Sequence, residues 1–375
     1  MRLQDIHIID THFHIWDREL IDLEWVKGLE RLDRDFSFEY FMKEYDGLNF
    51  VGGIFIEVDS KDSQKELSYI QNIARQKSKL LGYVANSKES KNIPPYAKKL
   101  CGFREVLHTQ NRGKISHVAF HNHIKDLKPS LFEVCILQED IPRFITLAGT
   151  IPHCSFVLNH MGNPIESKLV EYEAMLKELG ALPNVFCKLS SLDSFSENTS
   201  SAFIDECIKL CVKYFKAQRL LFGSNYPVSQ LSPKLWAQKV FNTLKDLDLD
   251  KSDIKAIFSQ NAYRIYGIRP AVQRFGQIIG LKPDSIALYE RLHANAWSGV
   301  LDTLQKANIQ NYSIYRHENT LFAYFEYSGN CLQDDLKTIS QCPITQEWWK
   351  LTDACQIPLG ESGNWLDLKE VFHLD

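Results

Sequence analysis

Short apolar segments alternate with helical, charged segments along the first 268 residues of the chain. Several apolar segments contain almost no polar residue, as strands do when helices cover both faces of a parallel sheet. The segments predicted to be strands are IHIIDTHFHI, VGGIFIEV, LLGYVA, SLFEVCI, SFVLNH, NVFCKLS and RLLFGSN. Helices are predicted for SQKELSYIQNIARQKSKL, SKLVEYEAMLKELG and FIDECIKLCVKYFK, whereas residues 113–127 show no clear pattern. This alternation predicts a closed (β/α)8 barrel, with a doubly wound open sheet as the alternative.

The pattern changes near Gly267-Ile268-Arg269-Pro270, which predicts one domain at 1–268 and a second at 269–375. The second domain is predicted to contain the strand RFGQIIGL, one long helix PDSIALYERLHANAWSGVLDTLQKA, the strands NYSIYRHE and NTLFAYFEYS, the helices DDLKTISQ and TQEWWKLTDACQ, and the strand LKEVFHLD. This βαββαβ-like order predicts a ferredoxin-like α+β unit. Because such a sheet leaves one face bare, we expect the chain to form a homodimer through this domain.

The composition is that of an ordinary globular protein, with 44% hydrophobic and 24% charged residues. The net charge of −4 suits small-molecule substrates and gives no electrostatic reason to expect nucleic acid. The segment MRLQDIHIID has no apolar signal core, and no apolar run is long enough to span a membrane. The nine cysteines form no CxxC pair, so we expect buried thiols. These features predict a cytoplasmic protein without membrane partners.

Polar residues recur at the ends of the predicted barrel strands. Asp10, His12 and His14 alternate along the first strand and are expected to share one face. Two imidazoles side by side can ligate a divalent metal such as zinc, or can polarise a substrate oxygen. The carboxyl ends of barrel strands surround the active site. The residues at or near the ends of later predicted strands are Glu57, Arg104, His160, Lys188 and Asn225, and Glu57 is predicted to bind substrate.

Together with IIDTHFHIWD, GFREVLH, SFVLNHMGNP, NVFCKLSSL, LFGSNYPV and NAYRIYGI, these residues resemble the amidohydrolase superfamily. The resemblance spans roughly residues 5–268 and is to the lactonase-like branch, which includes fuconolactone hydrolase. It implies a distorted (β/α)8 barrel that adds water to a lactone carbonyl. His12, His14 and His160 would bind a metal or the carbonyl oxygen, and Arg104 and Lys188 would hold substrate oxygens. Members of this branch differ in their need for metal, so the resemblance leaves zinc open.

Asn225 departs from the pattern of that branch. Many members have FGSDWP where this chain has FGSNYP, and that aspartate is taken to activate the water. An amide cannot accept a proton at neutral pH, so the role of base is vacant. Either another group such as a histidine is the base, or the barrel is slow, or it binds without turnover.

The second domain has a histidine among aromatic residues. Tyr289, His293 and Trp297 are four apart in the predicted long helix and are expected to share one face. Tyr312 follows in NYSIY, and Trp348 and Trp349 lie in QEWWK. Four-apart aromatic residues are also typical of a core. A histidine among Tyr and Trp suits a small polar substrate with apolar C–H faces, and it can give and take protons at neutral pH.

The pieces YERLHANAW, NIQNYSIY, TLFAYFEY, TQEWW and EVFHLD resemble the L-rhamnose mutarotase family over about residues 270–375. The resemblance implies a dimeric ferredoxin-like α/β barrel without cofactor. His293 would be the acid and base, Tyr289 and Tyr312 would assist, and Trp348 and Trp349 would stack on the sugar. Trp297-Ser298 stands where a Trp-Pro pair is frequent.

The two resemblances fit one substrate series, because a mutarotase and a lactonase flank the oxidation of an aldose. We therefore predict an L-fucose mutarotase joined to an L-fuconolactone hydrolase. The alternatives are an L-rhamnose mutarotase with a rhamnonolactonase, a mutarotase with a non-catalytic sugar-binding barrel, and a different hydrolase in the barrel.

Overall fold

A computed structural model describes residues 1–94, 97–109, 111–192, 199–268, 272–329, 332–360 and 365–373. The chain divides into two units, Met1–Ile268 and Arg269–Asp375. Residues 269–271, at the predicted domain boundary, lie outside the described residues. Each unit has its own sheet and its own hydrophobic clusters.

The first unit is an eight-stranded parallel sheet whose strands pair in sequence order. The strands are β1 (Ile8–Phe13), β2 (Phe50–Ile56), β3 (Leu80–Asn86), β4 (Leu100–Val106), β5 (Leu131–Cys135), β6 (Ser155–Leu158), β7 (Val185–Ser190) and β8 (Leu220–Gly223). The ring closes through a parallel bridge between Phe13 and Tyr226, just beyond β8. The structure thus confirms the barrel and excludes the alternative of an open sheet. Arg104 lies within β4.

Helices connect the strands, as the alternating pattern predicts. They are α1 (Phe38–Lys43), α2 (Ser63–Gln76), α3 (Val118–Lys125), α4 (Ile141–Thr150), α5 (Leu169–Ala181), α6 (Ser201–Phe215), α7 (Pro233–Asp246), α8 (Lys251–Lys255) and α9 (Asn261–Tyr266). A turn of π-helix, Ala256–Gln260, joins α8 to α9. The segment without a clear pattern contains α3, preceded by a short 3-10 turn. Among the described residues, no helix combines the length and apolarity needed to cross a membrane.

One apolar layer fills the inside of the barrel. Every strand contributes to it, through Ile9, Ile54, Ile56, Val84, Cys101, Leu131, Val157, Phe186 and Leu221. Ala262 and Tyr266 of α9 pack into the same layer. Because side chains alternate along a strand, the residues two and four positions beyond this layer also point inward, nearer the carboxyl ends. Glu133 on β5 and the candidate Lys188 on β7 occupy the first of those positions, so the layer forms the floor beneath them.

The second unit contains an antiparallel sheet in the order β10-β11-β9-β12, with β13 also pairing with β9. Its elements are β9 (Gln273–Leu281), α10 (Ile286–Ala294), α11 (Ser298–Lys306), β10 (Ile309–His317), β11 (Thr320–Tyr327), α12 (Leu332–Gln341), α13 (Pro343–Asp353), β12 (Gln356–Ile357) and β13 (Leu366–Leu368). The order places the first strand in the interior of the sheet, as in a ferredoxin-like unit. This confirms the predicted fold class.

Two predictions for the second unit were wrong in detail. The segment predicted as one helix is two, α10 and α11, and the chain between them is not helical. The terminal segment LKEVFHLD is not a strand over its described part, apart from Leu368 at the end of β13. Its last two residues, 374–375, lie outside the described residues. Apolar spacing continued across the helix break, so periodicity alone could not reveal it.

Candidate functional sites

Three imidazoles meet at the carboxyl end of the barrel. The ring centroids of His12 and His14 are 5.0 Å apart, and those of His12 and His160 are 4.6 Å apart. His12 belongs to β1, His14 follows it directly, and His160 follows β6. All three side chains are buried. The predicted pairing of His12 with His14 is therefore present, and the chain brings His160 to the same place.

Asp10 was expected to share a face with His12 and His14, but its side chain does not join the three imidazoles. Its carboxylate accepts hydrogen bonds from the Tyr45 hydroxyl, from the backbone N–H groups of His12 and Ser224, and from the Ser224 hydroxyl. The pairing between β1 and β2 shifts register after Asp10, so strict alternation does not continue to Phe13. Asp10 consequently fastens β1 to the end of β8, and positions the imidazoles through the backbone.

The backbone leaves room for the imidazoles at two points. A Cβ atom at position 223 would lie 2.6 Å from Cβ of His12, so a residue larger than glycine would clash there. After β6 the chain turns through left-handed conformations, with φ of 49° at His160 and 53° at Met161. Such strain costs roughly 1–3 kcal/mol at each non-glycine residue and tends to occur at functional sites. The backbone N–H of His160 and its Nδ1 atom both contact Oγ of Ser190, each at 2.9 Å.

Hydrogen bonding fixes complementary roles for His12 and His14. Nζ of Lys188 lies 3.5 Å from Nδ1 of His12, and an ammonium group can only donate, so the proton of His12 is on Nε2. Nδ1 of His14 lies 2.8 Å from the carbonyl oxygen of Ile56, so its proton is on Nδ1 and Nε2 has a free lone pair. His12 is therefore a hydrogen-bond donor and His14 a proton acceptor. Nε2 of His12 is buried and has no partner among the described residues.

Both imidazoles stay neutral at neutral pH. Burial holds the pKa of His12 well below its usual range, and the nearby charge of Lys188 adds to this effect. Burial does the same to the pKa of His14, with a further contribution from Arg104. Burial also lowers the pKa of His160. A neutral imidazole with one N–H and one lone pair can both bind a carbonyl oxygen and accept a proton.

Lys188 does not take the predicted role of binding substrate. Its ammonium group is fully buried and contacts both carboxylate oxygens of Glu133, at 2.7 and 2.6 Å, and the carbonyl oxygen of Thr11. These partners use its N–H groups. Burial lowers the pKa of Lys188 to about 8, although Glu133 opposes the shift. Because its three N–H groups have these closer partners, Lys188 acts on His12 through its positive charge, which disfavours a proton on Nδ1 of His12.

Glu133 is bound from three sides, by Lys188, by the Tyr266 hydroxyl at 2.7 Å and by Nδ2 of Asn159 at 2.7 Å. The amide of Asn159 can donate to this carboxylate, whereas an aspartate in its place would face it with like charge. This hydrogen bond to Glu133 therefore accounts for an asparagine at position 159.

We expect Glu133→Ala to lower the free energy of unfolding by about 3–5 kcal/mol, because it leaves the Lys188 ammonium buried without its counter-ion. Urea unfolding followed by circular dichroism measures the change. The double variant Glu133→Ala with Lys188→Met removes both charges and should recover a large part of the loss. A double variant no more stable than Glu133→Ala would contradict this account.

Glu57 and Arg104 form a second buried pair beside the imidazoles. Nη1 of Arg104 lies 2.8 Å from the carbonyl oxygen of Glu57 and 3.3 Å from its Oε1. The other carboxylate oxygen of Glu57 accepts from Asn86 and from the backbone N–H of Asp59. Glu57 therefore holds Arg104 rather than binding substrate as predicted. Nε of Arg104 is buried without a partner among the described residues, which leaves one donor for a substrate oxygen.

We expect the fold to lose stability as the pH rises, because of Glu57. Burial raises its pKa to about 8, against the charge of Arg104, and burial raises the pKa of Glu66 to about 7. A carboxyl whose pKa is raised on folding contributes stability that is complete below its unfolded pKa and is lost up to its folded pKa. The midpoint of urea unfolding should therefore fall between about pH 5 and about pH 8. Glu57→Gln should flatten this dependence, and an unchanged slope in that variant would contradict the prediction.

Cys135 is a member of the barrel site that the sequence analysis missed. Its side chain is buried on the inward face of β5, four positions beyond Leu131 of the floor. The charged groups that act on its thiol are the Arg104 guanidinium and the His108 imidazole. Burial raises the pKa of Cys135, but the charges of Arg104 and His108 bring it well below the usual range. Strand alternation from Leu131 through Glu133 was the available signal.

Asn225 lies directly after the β8 end of the barrel and is buried. It has a φ of 61°, a left-handed conformation that asparagine tolerates better than most residues. Its backbone N–H donates to the carbonyl oxygen of His12 at 2.7 Å, and its own carbonyl accepts from Ser229. Asn225 thus helps to hold β1 at the site.

Binding of a metal by His12 and His14 would require each imidazole to present a lone pair. His14 exposes one lone pair, but Nδ1 of His12 faces an ammonium group and its Nε2 carries a proton. In the described part of the chain, no three His, Cys, Asp or Glu side chains converge as a metal site. The residues therefore do not fit a bound zinc ion in this arrangement, and we assign the imidazoles to the substrate carbonyl.

In the second unit, His293 lies among aromatic rings. Its ring stacks on Tyr289 with centroids 4.1 Å apart, and lies 5.3 Å from the ring of Trp348. Nδ1 of His293 lies 3.0 Å from the carbonyl oxygen of Tyr289, so Nδ1 carries the proton and Nε2 has the lone pair. Burial lowers the pKa of His293, so the ring is neutral at neutral pH.

The other aromatic candidates are arranged differently from the prediction. Trp297 lies beyond the end of α10, yet its ring reaches that of Trp348, with centroids 5.4 Å apart. Trp348 is buried beside His293, whereas Trp349 is 38% exposed and points elsewhere, because neighbours on a helix are about 100° apart. Tyr312 lies on β10, with its ring 5.5 Å from that of Phe325. The structure therefore brings Trp348 and Trp297 to His293, but not Trp349.

The barrel with imidazoles at its carboxyl end has the form of an amidohydrolase, and the second unit has a histidine in an aromatic pocket on a ferredoxin-like sheet. The amidohydrolase family matches residues 119–268, and the L-rhamnose mutarotase family matches residues 274–374. The chain thus joins an amidohydrolase domain to an L-rhamnose mutarotase domain, and both are enzyme families.

Individual relatives agree with these assignments. The chain is 25% identical over 250 residues to an L-fucono-1,5-lactonase of Burkholderia multivorans, covering 60% of this chain and 83% of the relative. It is 35% identical over 98 residues to an L-rhamnose mutarotase of Bacteroides thetaiotaomicron, covering 25% of this chain and 91% of the relative. A solved amidohydrolase from Burkholderia multivorans, with bound zinc, superposes with a TM-score of 0.63 at 22% identity, covering 70% of this chain and 99% of that one.

Proposed function

We propose that the chain is a bifunctional sugar enzyme, an L-fucose mutarotase joined to an L-fuconolactone hydrolase. The observation that carries the barrel half is the complementary pair formed by His12 and His14. One presents an N–H and the other a lone pair, within 5.0 Å between ring centroids. Lactone hydrolysis needs both, since its transition state bears a negative oxygen and its water must lose a proton.

In the barrel, Nε2–H of His12 would bind the lactone carbonyl oxygen and stabilise the oxyanion that forms when the carbonyl is attacked. Nε2 of His14 would take the proton of the attacking water, a role that the amide of Asn225 cannot fill. Nε–H of Arg104 is the donor left for a ring or hydroxyl oxygen of the sugar. Burial of all three side chains strengthens each of these interactions.

In the second unit, His293 would exchange protons with the sugar while Trp348 and Trp297 pack against its C–H faces. Nε2 would take the proton of the anomeric hydroxyl and give it to the ring oxygen as the bond between the anomeric carbon and the ring oxygen breaks, which leaves the open-chain aldehyde. Rotation of the aldehyde face followed by reversal gives the other anomer. Tyr289, stacked on His293, orients the imidazole.

The assignment to L-fucose rests on the name of the lactonase relative and on the segments NYSIY, FEY and TQEWW, which resemble L-fucose enzymes. The mutarotase relative is named for L-rhamnose, so rhamnose is the alternative sugar for both units. Saturation transfer between anomers by NMR and acid release from the two 1,5-lactones compare the sugars directly. Faster turnover of both rhamnose substrates would replace fucose, and no acid release from any lactone would reject the hydrolase half.

Asn225 favours a second candidate function, a barrel that binds sugar without turnover. Asn225→Asp separates the two. A large gain in hydrolysis would mean that the native barrel lacks its base, whereas a loss would mean that the asparagine has its own role in an active enzyme.

We also propose that the second unit pairs with its counterpart in another chain. One face of β11 packs inward through Leu321, Ala323 and Phe325, while Phe322 on the other face is 39% exposed. Sedimentation of the full chain would give the number of subunits, and a monomer at all concentrations would reject the dimer.

A further inference from the structure

Asp59 lies at the carboxyl end of the barrel, three positions beyond the end of β2, and its side chain is partly buried. Its backbone is left-handed, with φ of 50°. Such a conformation is strained at a residue other than glycine, and strain of this kind tends to be kept at functional sites. The function assigned to the barrel so far does not use this side chain.

The chain between β2 and Asp59 contacts two members of the site. The carbonyl oxygen of Ile56 lies 2.8 Å from Nδ1 of His14, and that of Glu57 accepts from Nη1 of Arg104 at 2.8 Å. The carboxylate of Glu57 has Nη1 of Arg104 at 3.3 Å on Oε1 and the backbone N–H of Asp59 at 2.9 Å on Oε2. Arg104 and Asp59 therefore flank one carboxylate. Burial raises the pKa of Asp59, and the charge of Arg104 opposes this rise.

Arg104 and Asp59 each have unused hydrogen-bonding capacity. In the described part of the chain, no hydrogen bond or ion pair reaches the carboxylate of Asp59, and Nε of Arg104 is a buried donor without a partner. A guanidinium group can only donate and a carboxylate can only accept, whereas a hydroxyl group does both. One hydroxyl group between the two side chains would satisfy both of them. A carbonyl or ring oxygen could satisfy only Arg104.

We propose that Asp59 determines specificity in the barrel by accepting a hydrogen bond from one ring hydroxyl of the lactone, whose oxygen accepts from Nε–H of Arg104. This rests on the proposed lactonase function and deepens it, because it names a substrate group that is recognised apart from the reacting carbonyl. A ring hydroxyl does not change its charge during hydrolysis, so the contact is equally strong in the ground state and in the transition state. Asp59 therefore favours polyhydroxylated lactones through binding rather than through the chemical step.

Asp59→Gly removes the carboxylate, keeps the backbone N–H that binds Glu57, and suits a positive φ. It should raise KM for L-fuconolactone about 10–100-fold, the usual effect of losing a hydrogen bond to a charged group, with little change in kcat. Asp59→Asn keeps an uncharged acceptor and should raise KM less. The matched control is Asp248→Gly, between α7 and α8, where an exposed aspartate has φ of 54°. It should leave both constants unchanged, and urea unfolding shows whether each variant keeps the fold.

The three monodeoxy forms of L-fuconolactone test whether Asp59 touches the substrate. For one of them, KM of the unmodified chain should rise at least as much as Asp59→Gly raises KM for L-fuconolactone. With that deoxy lactone, Asp59→Gly should cause no further rise, because the hydroxyl it would bind is already missing. An equal effect of Asp59→Gly on all four lactones would mean that the carboxylate acts only through Arg104, and would overturn the proposal. An unchanged KM for L-fuconolactone in Asp59→Gly would overturn it too, while the lactonase function would stand.

Binding of the lactam of L-fuconic acid, which resists hydrolysis, separates this proposal from the lactonase function. Suppose that the unmodified chain hydrolyses no lactone. If calorimetry then shows lactam binding that Asp59→Gly weakens about 10-fold or more and Asp248→Gly does not, the contact with Asp59 stands and the lactonase function falls. If the lactam does not bind, or binds equally well to Asp59→Gly and to the unmodified chain, both proposals are wrong.

Discussion

His12→Ala is expected to lower kcat for lactone hydrolysis by about 10²–10³-fold, the usual effect of losing one oxyanion donor. Nε2 of His12 is a buried N–H without a partner among the described residues, so the substrate oxygen is its expected acceptor. That oxygen gains charge only as the reaction proceeds, so KM should change much less than kcat. A pH-indicator assay with L-fuconolactone measures both constants.

Two controls accompany this variant. His12→Gln retains an N–H donor and should recover part of the lost rate. His121→Ala removes a histidine of α3 whose Nε2 contacts the carbonyl oxygen of Ile115, and it should leave hydrolysis unchanged. Anomer exchange by the second unit, measured on the same preparation, reports whether the chain is intact. An unchanged kcat in His12→Ala would reject the donor role.

The barrel could be predicted from the sequence because its strands differ sharply from its helices. Strands such as β6 and β8 are apolar on both faces, since one face meets the floor and the other meets the helices. The second unit was predicted less completely. Alternation identified β9, β10 and β11, but the break between α10 and α11 falls in a segment whose apolar spacing continues through it. Strand β12 has two residues, too few for any period to show.

Only the site residues that lie at the ends of predicted strands could be predicted from the sequence. His12, His14 and His160 were found because the carboxyl ends of parallel strands converge. Lys188 and Glu57 were assigned to substrate because their partners are distant in sequence. Glu133 lies 55 residues from Lys188, and Arg104 lies 47 residues from Glu57. Cys135 was missed for the same reason, since a buried cysteine is usually inert and the sequence does not show which charges lie near it.

His14 in the barrel and His293 in the second unit are held in the same tautomer for the same reason. In each, a backbone carbonyl takes Nδ1–H, as Ile56 does for His14 and Tyr289 does for His293, and burial lowers the pKa. Each ring therefore presents the lone pair of Nε2 at neutral pH. The surroundings then differ, with buried charges in the barrel and with indole and phenol rings around His293. A lactone carbonyl suits the first and the C–H faces of a sugar suit the second.

His293→Asn is expected to lower the rate of anomer exchange by about 10²–10⁴-fold, because it removes the group that takes and returns the proton. Saturation transfer between the anomers of L-fucose measures that rate. His317→Asn, at the end of β10, makes the same change at an exposed histidine and should have no effect. Lactone hydrolysis should stay unchanged in His293→Asn, just as anomer exchange should survive His12→Ala, because each reaction uses the side chains of its own unit. Retained anomer exchange in a folded His293→Asn variant would mean that Tyr289 or Tyr312 moves the proton, and a loss of both activities would mean that the two units depend on each other.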